Sequence, residues 1–258
     1  MKRVVATLSL SLLVFAYTIS AAPGAAAIGN GVPDGSGHPN VGALIVDLEV
    51  EPGTFEKSVI CSGSLISASS PDTGGGVFLT AGHCTDFLPP LGITEVWVSF
   101  ETDVDPIPSS LLQGTYVTHP GFNPSSLFND LSVVLLEDPV TGIAPADLPT
   151  PGLLDQMKAA GSIRDQVFTN VGYGVVPSHK DGPPSFTSDG VRRVSTSPFG
   201  GLPASWLRLF MNVDATGEGG SCFGDSGSPK YLGASNTIVA VTSWGDTVCR
   251  RAQHELAA

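Results

Sequence analysis

Basic residues are scarce in this sequence. It has 12 lysines and arginines against 24 aspartates and glutamates, which gives a formal net charge of −12. A chain of this charge repels the phosphate backbone of nucleic acids, so we expect no nucleic-acid partner. Charged residues as a whole make up only 14% of the sequence and hydrophobic residues 41%, a composition that excludes a disordered chain and favours a packed core.

Cysteine is also rare, and metal-binding patterns are missing. The four cysteines form no C-x-x-C pattern, and no two histidines are spaced as H-x-x-x-H, so the usual spacing of a zinc site is absent. Glu101, Asp103 and Asp105 alternate in a way that suits Ca²⁺, but no glycine turn completes a calcium loop. They are better interpreted as a solvated acidic loop. We expect neither a metal nor a cofactor.

The first 27 residues have the pattern of an export signal. Lys2 and Arg3 supply a positive start, residues 4–19 are apolar, and three alanines at 25–27 offer a cleavage site. A membrane anchor is the alternative interpretation, which threonine and serine within the apolar stretch disfavour. We expect a secreted protein that has no membrane contact after cleavage.

Glycine and proline are abundant, with 31 and 21 residues, and they separate many short apolar runs. This pattern is typical of all-β proteins, and no internal repeat is visible. A short helix is predicted at 153–160 and an exposed loop at 177–189. Strands are predicted at 41–46, 59–66, 77–80, 97–100, 116–118, 131–136, 167–173, 206–212 and 237–243.

Two motifs carry the chemistry. The first, T-A-G-H-C, places His83 in a bend that contains glycine, and the second, G-D-S-G, flanks Ser226 with glycines. A serine in such a turn can approach a carbonyl group closely, and the backbone N–H groups of the turn can point together at a developing oxyanion.

Together, in this order, the motifs resemble the chymotrypsin/trypsin family of serine proteases, and the resemblance extends from Ile28 to Cys249. It implies an all-β fold of two antiparallel six-stranded β-barrels with the active site between them. The expected division is a signal peptide at 1–27, a first barrel at 28–140, a connection at 141–165 and a second barrel at 166–258. The implied function is a secreted serine endopeptidase that acts on proteins or peptides, and we expect a monomer.

The resemblance implies a role for each residue of the motifs. Ser226 would be the nucleophile, His83 the general base, and Asp130, which precedes the apolar run 131–136, the acid that orients the base. The N–H groups of Gly224 and Ser226 would form the oxyanion hole. An α/β-hydrolase esterase is an alternative, but it requires G-x-S-x-G, and position 228 is serine.

The resemblance also implies a substrate pocket and an activation device. Ser243, Trp244 and Gly245 would line the pocket with Ser221, and Gly220 would lie at its floor. Because Gly220 carries no carboxylate, an uncharged or apolar substrate residue is expected there. An amine liberated at Ile28 would pair with Asp225. The implied disulfides are Cys61–Cys84 and Cys222–Cys249.

The sequence departs from the family pattern at two places. Ser228 stands where glycine usually precedes the proline of the serine motif. After Cys249 only R-R-A-Q-H-E-L-A-A follows, which predicts a frayed or helical tail rather than a strand. The second barrel is therefore expected to be incomplete, and a protease-like binding protein without turnover is the alternative function.

Overall fold

The protein is nearly all β, as the sequence predicts. The computed structural model describes residues 28–178, 185–212, 216–245, 249 and 252–257. The predicted export signal at 1–27 lies outside the described residues. A two-residue strand, β1 (Val32–Pro33), precedes two larger sheets, each of which curves back on itself.

The first sheet is a closed six-stranded antiparallel barrel in the order β2-β3-β4-β7-β6-β5. Closure leaves it without an unpaired edge. Its strands are β2 (Val41–Glu51), β3 (Thr54–Ser67), β4 (Val77–Thr80), β5 (Glu95–Ser99), β6 (Leu112–Thr118) and β7 (Ser132–Leu136).

A connection that contains helix α1 (Leu153–Ala159) leads into the second sheet, and this helix confirms the one predicted at 153–160. The sheet runs β1-β11-β12-β15-β14-β13-β8, and because β8 also pairs with β11, the six strands from β11 to β8 close on themselves. Its strands are β8 (Val167–Gly172), β11 (Arg193–Gly201), β12 (Trp206–Phe210), β13 (Pro229–Leu232), β14 (Ile238–Gly245) and β15 (Ala252–Ala257).

The prediction of a frayed or helical tail after Cys249 is wrong. Residues 252–257 form β15, which pairs antiparallel with β12 on one side and with β14 on the other. The two ladders satisfy the backbone of β15, and its Glu255 is fully buried beside Lys230. The second sheet therefore has a strand at the place where the sequence suggested a gap.

The stretch 177–189 also differs from its prediction as a loop. Strands β9 (Val176–Ser178) and β10 (Ser185–Thr187) pair as a separate hairpin, and residues 179–184 lie outside the described residues. All three residues of β10 are exposed, as expected for a loop.

Strand β2 holds the two barrels together because both of its faces are buried. Successive side chains of a strand point to opposite faces. Leu44 and Val46 enter the core of the first barrel, whereas Ala43 and Ile45 pack with Val171 and other residues of the second. Burial on both faces explains why this segment is a continuous apolar run.

A buried arginine, Arg192, also connects the two barrels. The guanidinium group of Arg192 donates from Nε to Asp34 and from Nη2 to the carbonyl of Gly35. Its Nη1 donates to the carbonyls of Val41 and Phe100 and to the hydroxyl of Tyr173. Burial of a charge is costly unless it is paired, and here the ion pair and the carbonyls supply that compensation.

Candidate active site

His83 is positioned by the pairing of two strands. Strand β4 ends at Thr80, and a single 3-10 turn at 82–84 presents the imidazole ring. Thr80 lies opposite Ser132, the first residue of β7. Because the strands are antiparallel, the residues that precede β7 come to lie beside those that follow β4. Asp130, two residues before β7, therefore lies beside His83, three residues after β4.

Asp130 is fully buried and its carboxylate is held by three donors. Oδ1 accepts the backbone N–H of His83 at 2.8 Å, and Oδ2 lies 2.8 Å from Nδ1 of the His83 ring. The hydroxyl of Ser243, from β14 in the second barrel, also donates to Oδ2. A proton on Nδ1, donated to Asp130, leaves Nε2 of His83 as the proton acceptor.

Ser226 lies in a turn that only glycine permits at two positions. Gly224 and Gly227 have φ angles of 90° and 81°, in the region that disfavours side chains. A Cβ atom on Gly227 would lie 2.1 Å from Oγ1 of Thr80 and 2.4 Å from the carbonyl oxygen of Ser62. The turn is thus pressed against the end of β4, three residues before His83.

Backbone bonds fix Ser226 between the barrels. Its carbonyl accepts the N–H of Ser62 in β3, and the N–H of Gly227 donates to Thr242 in β14. Ser226 lines the same pocket as Ser243, whose hydroxyl binds Asp130. Within the described residues no hydrogen bond joins Ser226 Oγ to His83, so the turn and the shared pocket are what bring the predicted nucleophile to the His83–Asp130 pair.

Two backbone donors of the turn have no acceptor in the described part of the chain. These are the N–H groups of Gly224 and Ser226, the two that the sequence predicts for an oxyanion hole. The neighbouring groups are engaged: the N–H of Asp225 donates to Cys222, and that of Ser228 donates to Asp225. The arrangement leaves Gly224 and Ser226 able to bind an external acceptor.

A pocket of about 230 Å³ opens beside Ser226. Four of the predicted pocket residues line it, namely Ser221, Ser243, Trp244 and Gly245. Thr242, Phe223 and the Cys222–Cys249 disulfide also contribute to the lining. Phe186 of the β9–β10 hairpin packs edge-on against Phe223. Gly220 does not belong to this lining, because it forms an antiparallel bridge with Gly29.

Three buried ionisable groups lie behind the pocket, and sequence reasoning missed two of them. The Nζ of Lys230 donates to the hydroxyl of Ser221 and lies 3.7 Å from the carboxylate of Glu255. Burial raises the pKa of Glu255 to about 7, although Lys230 opposes that shift, and burial lowers the pKa of Lys230. One lysine in a short strand and one glutamate in a polar tail gave no signal that they would meet.

Asp225 is the third buried group. Its Oδ1 accepts the N–H of Gly174 and its Oδ2 that of Cys222, each at 2.8 Å. Burial raises the pKa of Asp225 to about 6, and these N–H groups and the charge of Lys230 act in the opposite direction. Ile28, the predicted partner of Asp225, is fully buried. The residue after it, Gly29, forms a bridge with Gly220, which lies two residues before Cys222 in the sequence.

Both disulfides form in the predicted pairing. Cys61–Cys84 joins β3 to the turn that carries His83, and Cys222–Cys249 joins the serine turn to the segment before β15. Ser228, which replaces the usual glycine, has a partner as well, since its hydroxyl lies 2.7 Å from Oγ1 of Thr242. Within the described residues, no helix is long and apolar enough to cross a membrane.

Comparison with known proteins agrees with the geometry. The sequence pattern of the family described as Trypsin matches residues 38–255. Brachyurin from Leptuca pugilator is 29% identical over 192 residues, which are 72% of this chain and 75% of that protein. A solved structure described as HL collagenase superposes with a TM-score of 0.63 at 19% identity and covers 88% of this chain and 92% of its own, a likeness of fold.

Proposed function

Because the chain belongs to the trypsin family of serine proteases, we propose that it is a secreted endopeptidase that cleaves peptide bonds through an acyl-enzyme on Ser226. The observation that carries this proposal is the bond between His83 Nδ1 and the buried Asp130, with the Ser226 turn pressed against the strand that precedes His83. These are the groups that attack on an amide requires: a nucleophile, a base and a residue that orients the base.

In the first step Ser226 Oγ attacks the carbonyl carbon of the substrate and its proton passes to Nε2 of His83. The carbonyl oxygen becomes an oxyanion, which the N–H groups of Gly224 and Ser226 stabilise. The tetrahedral intermediate collapses when His83 returns the proton to the leaving amine, which breaks the C–N bond. Water then attacks the ester while His83 takes a proton from it, and a second tetrahedral intermediate forms. This intermediate collapses when His83 passes that proton to Ser226 Oγ, which breaks the ester C–O bond and releases the carboxylic acid.

Asp130 acts through His83. As a carboxylate it holds the proton on Nδ1 and stabilises the imidazolium ion that forms when His83 accepts the serine proton. Burial of Asp130 without partners would be costly, and the three donors to its oxygens offset that cost.

We propose that the pocket accepts an uncharged, mainly apolar residue of the substrate. Aromatic rings, the disulfide and hydroxyl groups line it, and no carboxylate lies among its described lining residues. Lysine or arginine would have no partner there. The hydroxyl of Ser221 accepts a hydrogen bond from Lys230. It can donate its own hydrogen to the hydroxyl of Thr242 or to a group of the substrate.

We further propose that cleavage before Ile28 creates an amine that pairs with Asp225. Asp225 is a buried carboxylate with a raised pKa, and an added cation would favour its charged form. In the structure the buried Lys230 is the cation near both Asp225 and Glu255, so the new ammonium group of Ile28 would give each carboxylate a cation. N-terminal sequencing of the exported protein tests this: a mature chain that starts elsewhere contradicts the pairing.

Covalent labelling tests the enzymatic proposal. A serine-directed phosphonate probe should label the folded protein at Ser226 and abolish cleavage of a peptide with an apolar residue for the pocket. The Ser226→Ala variant should fold like the wild type and remain unlabelled. Folded wild-type protein that is neither labelled nor active would favour binding without turnover. The sequence suggested that alternative because a strand of the second barrel was expected to be missing, and β15 occupies the place of that strand.

A further inference from the structure

A second depression lies on the surface of the second barrel, apart from the pocket beside Ser226. It is open, about 630 Å³ in volume, and residues 199–203 and Ile163 are among those that line it. Lys158, Arg164 and Arg208 stand around it, and all three are exposed. The Nζ of Lys158 donates to the carbonyl of Leu202 at 2.7 Å, so this ammonium group is fixed at the rim.

Among the described residues, these three cations differ from the other lysines and arginines because they form no ion pair. Within the described ranges, each remaining lysine and arginine pairs with a carboxylate: Lys57, Arg192, Arg193 and Lys230. Lys158, Arg164 and Arg208 form no ion pair in that part of the chain. Asp155 lines an adjoining depression, which shares Lys158. A protein with a net charge of −12 thus gathers its unpaired described cations around one site.

Strand register places this site close to the substrate pocket. Arg208 of β12 lies opposite residue 254 of β15, and Trp244 of β14 lies opposite the same residue. Arg208 and Trp244 are therefore two strand spacings apart, about 10 Å between their Cα atoms. Trp206, two residues before Arg208 and so on the same face of β12, packs edge-on against Trp244 with ring centroids 6.2 Å apart.

We propose that this depression binds the carboxylates of an acidic segment in the substrate polypeptide, three to five residues from the one in the pocket. An extended peptide rises about 3.3 Å per residue, so three residues span the separation of about 10 Å between Trp244 and Arg208, and up to five reach across the depression. The proposal rests on the proposed peptidase function, since it assumes that a peptide occupies the pocket next to Trp244.

The arrangement suits carboxylates of a peptide better than a sulfated polysaccharide. Arginine offers a planar set of donors that matches a carboxylate in two parallel hydrogen bonds. A polyanion gains affinity from a long track of cations, whereas the described residues of this site offer three around one depression. An acidic protein would otherwise repel acidic substrates, so the site would change which substrates the enzyme prefers.

Calorimetry with the Ser226→Ala variant tests binding independently of turnover. The probe is a pair of peptides with the same apolar residue for the pocket, which carry aspartates or asparagines at the third to fifth positions on either side of it. For the better-placed set, the acidic peptide should bind about five- to ten-fold more tightly than its amide counterpart. The preference should disappear when Arg164→Gln and Arg208→Gln are added.

The control removes one positive charge elsewhere. Lys57→Gln lies in the first barrel, where Lys57 pairs with Asp47, and it should leave the preference unchanged. In the active protein the ratio of kcat/KM for the two peptides should follow the same pattern, and about 1 M salt should reduce it because exposed charges are then screened.

Three outcomes would overturn the proposal. The preference for the acidic peptide could survive the loss of both arginines, or Lys57→Gln could abolish it equally. A sulfated oligosaccharide could also bind at the arginines while the acidic peptide binds no more tightly than its amide counterpart. Failure of the peptidase function would appear separately, as an unlabelled and inactive wild type, and the calorimetric comparison would still decide whether the arginines bind carboxylates.

Discussion

Ser243 in the second barrel donates its hydroxyl hydrogen to Asp130 in the first, on the same carboxylate oxygen that contacts the ring of His83. The orientation of the predicted base thus depends on how the two barrels meet, and a residue predicted to line the pocket also supports the acid. A strand of the second barrel therefore contributes both to the lining of the pocket and to the position of His83.

Replacement of Ser243 by alanine should lower kcat/KM by about ten-fold and the free energy of unfolding by about 1–3 kcal/mol. The reason is that buried Asp130 loses one of three donors while the two from His83 remain. Steady-state kinetics and denaturant unfolding measure the two effects. Ser67→Ala, which removes an exposed hydroxyl bonded to a carbonyl, serves as the control, and equal kinetics in both variants would contradict a role for Ser243.

Replacement of Gly227 by alanine should abolish labelling of Ser226. The new Cβ would meet Thr80 at 2.1 Å and would also occupy a left-handed backbone conformation. Gly233→Ala is the matched control, because Gly233 also has a positive φ but nothing lies within 4 Å of its Cβ position. The control should lose only about 1–2 kcal/mol and keep its activity. Similar effects of both substitutions would show that the contact with Thr80 is unimportant.

The buried pair of Lys230 and Glu255 should respond differently to single and double substitution. Lys230→Met leaves Glu255 buried and unpaired, so it should cost about 3–5 kcal/mol. Lys230→Met with Glu255→Met removes both charges and should restore stability to near that of the wild type. Chemical denaturation of the three proteins provides the comparison. A double variant as unstable as the single one would mean that packing, and not charge, dominates at this place.

The pH dependence of stability should report Glu255. Burial raises its pKa from 4.5 to about 7, so over this range the folded state retains a proton that the unfolded chain has lost. The group has no effect below pH 4.5, lowers stability progressively towards pH 7, and has a constant effect above it. Across this interval the free energy of unfolding of the wild type should fall relative to that of the double methionine variant, which lacks Glu255. A difference that is independent of pH would contradict the raised pKa.

Much of the fold could be predicted from local pattern, and most of the candidate site from the two motifs and the family that they resemble. The strands at β4 and β7 follow apolar runs of the right length, and the two motifs mark His83 and Ser226, because tight turns that present a side chain require glycine at particular positions. Asp130 is predicted because its place before the apolar run of β7 matches that of the acid in the family. Its third donor, Ser243, is a pocket residue whose second contact depends on tertiary structure.

What could not be predicted depends on partners distant in the chain. Strand β15 contains glutamine, histidine and glutamate, which in isolation favour a tail. It becomes a strand because β12 and β14 pair with it on both sides and because Lys230 is a partner for Glu255. Strand β13, which carries Lys230, is only four residues long and follows the serine motif directly, so it shows no alternation of its own.

The buried guanidinium group of Arg192 has a consequence for how the molecule comes apart. Its hydrogen bonds reach Asp34, two carbonyls of the first barrel's strands and loops, and Tyr173 at the start of the second barrel. If either half unfolded alone, Arg192 would lose its partners in that half together with the burial that they provide, so each half stabilises the other. Heating or denaturant should thus disrupt both halves in one all-or-none transition, with coincident curves from fluorescence and circular dichroism.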